Sequence, residues 1–465
     1  MSRTESSDRQ RGNASPLDIP RLFGTDGIRG VAGAYPLDPP TVRRIGAALV
    51  RALPPGSGSA APRLLIGRDT RESGAWIEME LAHGAGGEGA SVTSAGVVPT
   101  PAVAYLTRTA AYEAGVVISA SHNPFEDNGI KVFSGGGEKF TERVEREVEA
   151  IVADSSWRAR DGQPAAVPQA ALVSTYLEHL RAVFPEAPML GGFGLAIDCA
   201  NGATTNVAPA LLSSLGLEPV VIGNRPDGRN INLGCGSTHP EELARTVVDR
   251  GLQMGIAFDG DGDRAIFVDH RGETVNGDAV LLLCADQLKR EGRLKGGAIV
   301  ATVMSNIGLE LALQARDIAL VRTAVGDKYV MEEMLARGLS LGGEQSGHII
   351  FSDYLFTGDG LCTALNVLRT VALTGRTLAD LSSDLTAYPQ VLLNLRVREK
   401  IDLATVPSVA AAVGRVEAHL AGQGRLLVRY SGTEPLLRVM IEGRDAHEIR
   451  AWAQEIVDAV KEHVG

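Results

Sequence analysis

Three aspartates alternate with glycine in Asp259-Gly260-Asp261-Gly262-Asp263-Arg264, directly after the apolar run Gly255–Phe258. In extended backbone, side chains at i, i+2 and i+4 leave the chain on one side. Three carboxylates gathered there repel each other unless a cation sits among them. Hard oxygen ligands favour Mg²⁺ or Ca²⁺. An EF-hand loop starting at Asp259 needs Gly at its sixth position and Glu at its twelfth, where this chain has Arg264 and His270. Mg²⁺ held by part of its shell is the reading that remains beside a solvated acidic turn, and it leaves room for a phosphate oxygen.

Ser119-Ala120-Ser121-His122-Asn123-Pro124 follows the apolar run Gly115–Ile118. A hydroxyl on a loop at a strand end is exposed yet positioned, which suits a nucleophile or phosphoryl carrier. The same residues also make an ordinary turn. In Gly342-Gly343-Glu344-Gln345-Ser346-Gly347-His348, the Glu, Ser and His side chains can exchange hydrogen bonds with sugar hydroxyls. A plain surface loop has the same composition. Arg429-Tyr430-Ser431-Gly432-Thr433-Glu434-Pro435, with Arg438 beyond it, combines hydroxyls, a glycine and backbone N–H groups that can nest a phosphate. Arg429 adds a forked cationic contact. The Walker pattern G-x-x-x-x-G-K-[ST] is absent, and a β-turn between strands is the rival reading. Phe23–Gly30 and Asp127–Lys131 place Arg29 and Lys131 beside glycines.

Each segment alone is ambiguous, but together they meet the needs of a phosphomutase. Ser121 would carry the mobile phosphoryl group, the aspartates would hold the cation that offsets its charge, and Arg429–Thr433 would hold the second phosphate. Phosphoryl transfer depends mainly on such positioning and electrostatics.

The elements that must position these loops are strands alternating with helices, the pattern of α/β domains. Strand-like runs include Leu64–Gly67, Val116–Ser119, Leu195–Asp198, Val220–Ile222, Gly255–Phe258, Ala298–Val303 and Leu426–Arg429. Ile449, Trp452, Ala453, Ile456, Val457 and Val460 share one face of a terminal helix. The length of 465 residues suggests three or four domains. Linkers are expected at Ser155–Gln169, near Asp269–Asn276 and around Tyr388–Pro389; Pro54–Pro62 reads as a surface loop. The domains expected are 20–167, 168–274, 275–387 and 388–465, preceded by a polar, disordered extension over 1–19.

A net charge of −11 disfavours general binding to nucleic acid or anionic membrane. Any anionic substrate must meet locally concentrated Arg and Lys, and these occur within the motifs. The four cysteines, Cys199, Cys235, Cys284 and Cys362, form no C-x-x-C pair and suggest reduced thiols in a cytoplasmic protein. No apolar run is long enough for a membrane span, and the N-terminus has no secretory signal core.

The runs FGTDGIRG (23–30), ISASHNPFEDNGIKVF (118–133), DGDGDR (259–264), GGEQSGHII (342–350) and RYSGTEPLLRVM (429–440) resemble, in order, those of the α-D-phosphohexomutase superfamily. GEQSGH, with Gln345, is similar to the sugar loop of its phosphoglucosamine mutase branch, as are Tyr388-Pro389-Gln390 and the stretch 232–241. Phosphoglucomutases and phosphomannomutases are the alternative within the superfamily. A non-catalytic sugar-phosphate binder is the alternative outside enzymes.

The resemblance implies four domains around a central cleft, three related α/β units and a smaller C-terminal α+β unit that swings closed. It implies that Ser121 is the phosphorylated nucleophile and, through its phosphate, a Mg²⁺ ligand with Asp259, Asp261 and Asp263. Lys131 and Arg264 would flank the reacting phosphate, Lys131 moving a proton to or from the sugar hydroxyl, with His122 and Arg29 nearby. Glu344 and Ser346 would bind sugar hydroxyls beside His348. Arg429, Ser431, Gly432, Thr433 and Arg438 would hold the non-reacting phosphate. The implied reaction interconverts glucosamine 6-phosphate and glucosamine 1-phosphate through a sugar 1,6-bisphosphate, which also primes the enzyme, and feeds UDP-N-acetylglucosamine and cell-wall synthesis. A homodimer is among the states the resemblance suggests.

Overall fold

The computed structural model describes residues 21–53, 61–160, 166–168, 171–420, 422–430 and 436–464. The extension 1–19 and most of Pro54–Pro62 lie outside them. Four sheets follow one another along the chain.

The first has seven strands. Across it run Phe23–Gly24, Gly27–Val31, Asp127–Ser134, Ala114–Ile118, Arg63–Arg68, Ser91–Val97 and Ala166–Pro168. Arg63–Arg68 pairs in parallel with both neighbours, whereas Asp127–Ser134 runs antiparallel to Ala114–Ile118. Every residue of Ala114–Ile118 is buried, because helices cover both faces of the sheet. Leu64, Ile66, Val116 and Ile118 pack under helices Pro39–Ala52 and Gly74–Gly87. Leu65 and Val117 face the other way, into a large apolar cluster that continues through the second and third sheets. The first three units therefore share one core.

The second sheet contains Thr274–Val275, Ala265–Asp269, Met254–Phe258, Leu195–Asp198 and Val220–Ile222, in that order. Met254–Phe258 is parallel to Leu195–Asp198 and antiparallel to Ala265–Asp269, so residues 259–264 form the connection at the end of a buried hairpin. The stretch Asp269–Asn276, expected as a linker, is a turn plus the edge strand Thr274–Val275. It pairs because Val275 has an apolar core to enter, where it is buried. Part of the other expected linker also pairs: Ala166–Pro168 adds to the edge of the first sheet beside Ser91–Val97.

The third sheet runs Ala319–Thr323, Ala298–Thr302, Leu341–Gly343, Ile349–Phe351. Its last hairpin encloses residues 344–348. The fourth sheet is antiparallel, with Leu436–Glu442 between Gln390–Arg396 and Arg425–Tyr430. Helices Pro407–Leu420 and Ala446–Val464 cover it, and its core of Val409, Val416, Val439, Ile441, Ile449 and Ile456 is its own. The expected terminal helix is present, with Ile449, Ala453, Ile456 and Val460 fully buried on one face. Among the described residues no helix is long and apolar enough to cross a membrane.

Candidate active site

Ser121 starts the turn that follows Ala114–Ile118 and, against the expectation of an exposed loop hydroxyl, is 0% exposed because the second unit packs over it. Its φ of 53° lies in the left-handed region, which is unfavourable for a residue with a Cβ. Neighbours over-determine it. Its N–H donates to Ser119 Oγ at 2.9 Å. Its carbonyl accepts from Arg71 Nη2 and from Asn232 Nδ2, each at 2.9 Å. Arg71 belongs to the first unit and Asn232 to the second, so the strained turn is fastened across the interface. The conformation aims Oγ at Asp259 Oδ2, to which it donates at 2.5 Å, with His122 Nδ1 at 3.3 Å.

One oxygen from each of Asp259, Asp261 and Asp263 lies within 4.8 Å of the others, and all three residues are buried. Asp261 Oδ2 accepts from Thr100 Oγ1 at 2.6 Å and from Lys131 Nζ at 2.8 Å; Asp263 Oδ2 accepts from Lys131 at 3.0 Å. Their Oδ1 atoms are buried without a hydrogen-bond partner, a costly state unless something coordinates them. Burial pushes the Asp259 carboxyl well above the usual range, and the charges of Asp263 and Asp261 push it further. Buried, unpaired hard oxygens that repel one another fit a small divalent cation such as Mg²⁺. Gly260 is required here by space: a Cβ would stand 2.5 Å from the Ser121 carbonyl oxygen.

A cleft of about 450 Å³ opens beside this loop. Arg29, His122, Asp263, Arg264, Glu344 and His348 all line it, together with Asp26 and Asp327. Burial holds the His122 imidazole down to about 4, with Arg264 and Arg29 adding to the effect. Arg264 Nη1 stands 3.2 Å from His122 Nδ1. Burial alone would lower the Lys131 ammonium, but Asp26, Asp261 and Asp263 outweigh it and hold the group charged. Lys131 is 1% exposed and does not itself line the cleft, but it pairs with Asp26 and Asp263, which do.

Several sequence candidates sit elsewhere. Ser346 is exposed and does not line the cleft. Gln345 turns away from it, its Nε2 donating to Asp278 Oδ2 at 3.3 Å. Arg429 and Arg438 face each other in register on neighbouring strands of the fourth sheet, and neither lines the cleft. Ser431, Gly432 and Thr433 lie outside the described residues.

Three charged residues were not anticipated as site members. Asp26 accepts from Lys131 at 3.0 Å, from Lys139 at 2.6 Å and from Arg29. Lys139 also pairs with Asp327, and Asp327 Oδ2 stands 3.4 Å from His348 Nε2. Burial would raise the Asp26 carboxyl, yet Lys131, Lys139 and Arg29 bring it well below its ordinary range.

Family profiles for phosphoglucomutase/phosphomannomutase match in order: alpha/beta/alpha domain I over residues 20–159, domain II over 174–272, domain III over 276–388 and the C-terminal domain over 392–459. The chain belongs to this family, the α-D-phosphohexomutases. A putative phosphomannomutase from Thermus thermophilus shares the fold, with a TM-score of 0.77 at 24% identity over 95% of this chain and 99% of that one. The phosphoglucosamine mutase of Solibacter usitatus (strain Ellin6076) is 49% identical over 449 residues, 96% of this chain and 99% of its own. That of Geotalea daltonii is 45% identical over 451 residues, with 96% and 98% covered. Within the superfamily the chain falls among the phosphoglucosamine mutases.

Proposed function

We propose that this enzyme interconverts glucosamine 6-phosphate and glucosamine 1-phosphate through a phosphoserine at Ser121 and an enzyme-bound 1,6-bisphosphate. The observation that carries the reading is the buried Ser121 hydroxyl, 2.5 Å from Asp259 in a cluster of three buried carboxylates. Phospho-Ser121 gives its phosphoryl group to the free hydroxyl of the sugar phosphate. The bisphosphate turns over, and its other phosphoryl group returns to the serine oxygen.

In that return step the bond from phosphorus to the sugar oxygen breaks as the bond to Ser121 Oγ forms. Asp259 is placed to take the serine proton. Lys131, kept as an ammonium by its three carboxylates, donates one to the departing sugar oxygen. Mg²⁺ held by Asp259, Asp261, Asp263 and the phosphoserine would supply charge neutralisation. Arg264, Arg29 and His122 surround the reacting phosphate. Glu344 and His348 face the sugar, with Ser346 at the loop's tip. Arg429, Ser431, Gly432, Thr433 and Arg438 take the other phosphate once the fourth unit closes. A trace of sugar 1,6-bisphosphate primes the enzyme. A net charge of −11 and four unpaired cysteines fit a cytoplasmic enzyme of small phosphosugars, without nucleic acid or membrane partners. A homodimer is part of the proposal, carried by the resemblance alone.

The test is a competition assay with Mg²⁺, primer and glucosamine 6-phosphate, glucose 6-phosphate and mannose 6-phosphate. A preference in kcat/KM of about tenfold or more for the amino sugar, ~1.4 kcal/mol in the transition state, is expected. Equal or greater turnover of a neutral sugar phosphate would reassign the substrate to the phosphoglucomutase or phosphomannomutase alternative.

A further inference from the structure

Six charged or titratable side chains close a ring at the cleft's inner wall. Asp263 accepts from Lys131 at 3.0 Å, Lys131 meets Asp26 at 3.0 Å, and Asp26 meets Lys139 at 2.6 Å. Lys139 pairs with Asp327, Asp327 stands 3.4 Å from His348 Nε2, and His348 Nε2 returns to within 4.0 Å of Asp263. Asp26, Lys131 and Lys139 come from the first unit, Asp263 from the second, and Asp327 and His348 from the third. Of the six, Lys139 alone neither lines the cleft nor touches the triad. Among the described residues its ammonium is the one cation that bridges the two cleft-lining carboxylates Asp26 and Asp327.

The position is built for that contact. Lys139 pairs by a backbone bridge with Phe133, at the end of the strand that carries Lys131. Asp327 opens the helix Asp327–Arg337, and the next residue, Lys328, pairs with Glu145 of the first unit at 2.8 Å. That second ion pair also ties the helix to the first unit. The part-buried Lys139 contact joins two carboxylates, Asp26 and Asp327, that both line the cleft. His348 has no hydrogen-bond partner on either ring nitrogen, and its Nε2 faces the carboxylates of Asp327 and Asp263 at 3.4 and 4.0 Å.

We propose that Lys139 is a positioning residue of the reaction: it holds Asp327, and through it the His348 ring, at a set distance from Lys131 and the metal triad. Misplacing reacting groups by about an ångström can lower turnover roughly a hundredfold. A residue that never meets substrate should show its loss in kcat more than in KM.

The experiment rests on the mutase reading above and compares K139M, K139R and D327N with wild type. Melting curves, and kcat and KM for glucosamine 6-phosphate, would be measured for each. K139M should lose about tenfold or more in kcat with KM within roughly threefold, and K139R should regain most of it. D327N, which keeps the side chain's shape, should lose kcat in the same way, and it decides the matter if K139M does not fold. A folded K139M or D327N with kcat within about twofold of wild type, or with its loss confined to KM, would overturn the assignment.

A second readout needs no turnover. In ¹⁵N-histidine-labelled protein, the His348 ring resonances, assigned with H348Q, should move in K139M and D327N and return in K139R. Unmoved resonances would also overturn it. Wild-type protein inactive on all three hexose phosphates, with the resonances moving as expected, would instead sink the mutase reading and leave the positioning role standing.

Discussion

Ser121 is held in a left-handed backbone conformation by three hydrogen bonds from two units, so its hydroxyl is aimed before substrate arrives. S121A should therefore lower kcat by on the order of 10⁴-fold or more while leaving the fold intact. The primed assay checks the rate. Intact-mass spectra should show a phosphoryl group on wild type and none on the variant. At His122 the prediction concerns pH. Its imidazole is held to about 4 in the fold against 6.5 when unfolded. Between those values the unfolded chain binds the extra proton, so acidification through that window disfavours the native state. Urea melts at pH 7 and pH 5 should show wild type losing more stability on acidification than H122Q. The ring is partly exposed, which keeps the difference modest. An equal loss in both proteins would show that His122 does not contribute.

Among elements, the loops that matter hang on glycines at close approaches. Gly277 starts the helix Gly277–Arg290, and its N–H donates to the Gln345 carbonyl at 2.9 Å. A Cβ there would stand 2.1 Å from the Glu344 carbonyl oxygen. G277A should displace the sugar loop, raise KM for hexose phosphates and cost roughly 1–3 kcal/mol of stability. The 259–264 loop touches this one directly, the Ala265 N–H donating to the Gly347 carbonyl at 3.1 Å, so Mg²⁺ affinity measured by calorimetry should weaken as well. A variant with unchanged KM would show that Glu344 and its neighbours do not bind substrate.

The same contrast explains what could be seen in the chain beforehand. Asp259, Asp261 and Asp263 were legible because a strand's alternation turns their spacing directly into geometry. Leu195–Asp198 was legible because a buried parallel strand reads as a nearly unbroken apolar run, and its half-buried edge neighbour Val220–Ile222 because its residues are all β-branched. Lys139 is 113 residues from Asp26 and 188 from Asp327. No local period links them, and only the packing of the first unit on the third does. Asp26 lies within Phe23–Gly30 near Arg29, but its other partners Lys131 and Lys139 reach it only through the fold. Gln345 carries a different kind of signal. Its type marks the branch, yet its side chain faces Asp278, away from the cleft. Asp269–Asn276 read as a linker because its turn residues are polar, and the pairing of Thr274–Val275 depends on a partner strand already in place.

At the scale of the whole molecule, every described residue lining the cleft comes from the first three units, while Arg429 and Arg438 belong to the fourth. That unit has its own apolar core and joins the third through a small polar joint. Asn306 Oδ1 accepts from the Tyr388 N–H and its Nδ2 donates to the Tyr388 carbonyl, both at 2.9 Å. Buried Glu442 accepts from the Ile307 N–H at 3.0 Å and from Arg425 Nε at 2.9 Å, and Arg425 Nη2 donates to the Ser305 carbonyl at 3.1 Å. Asp278 Oδ2 accepts both the Asn306 N–H, at 2.9 Å, and the Gln345 amide, so the joint and the sugar loop share one carboxylate. Separate cores linked by a few hydrogen bonds make rigid-body rotation the least costly motion. In the proposed mechanism the charge of a dianionic phosphate would draw Arg429 and Arg438 towards the cleft. X-ray scattering should therefore show the radius of gyration falling when glucose 1,6-bisphosphate is added to wild type. N306A unties Tyr388 from the third unit, so the closed geometry should be less well defined, with KM for hexose phosphates rising about tenfold, ~1.4 kcal/mol. Phosphoserine content should not change, because Ser121 and its carboxylates lie wholly in the first two units. If bisphosphate leaves the scattering curve unchanged and N306A keeps the wild-type KM, the fourth unit does not close on substrate, and Arg429 and Arg438 lose their part in holding the second phosphate.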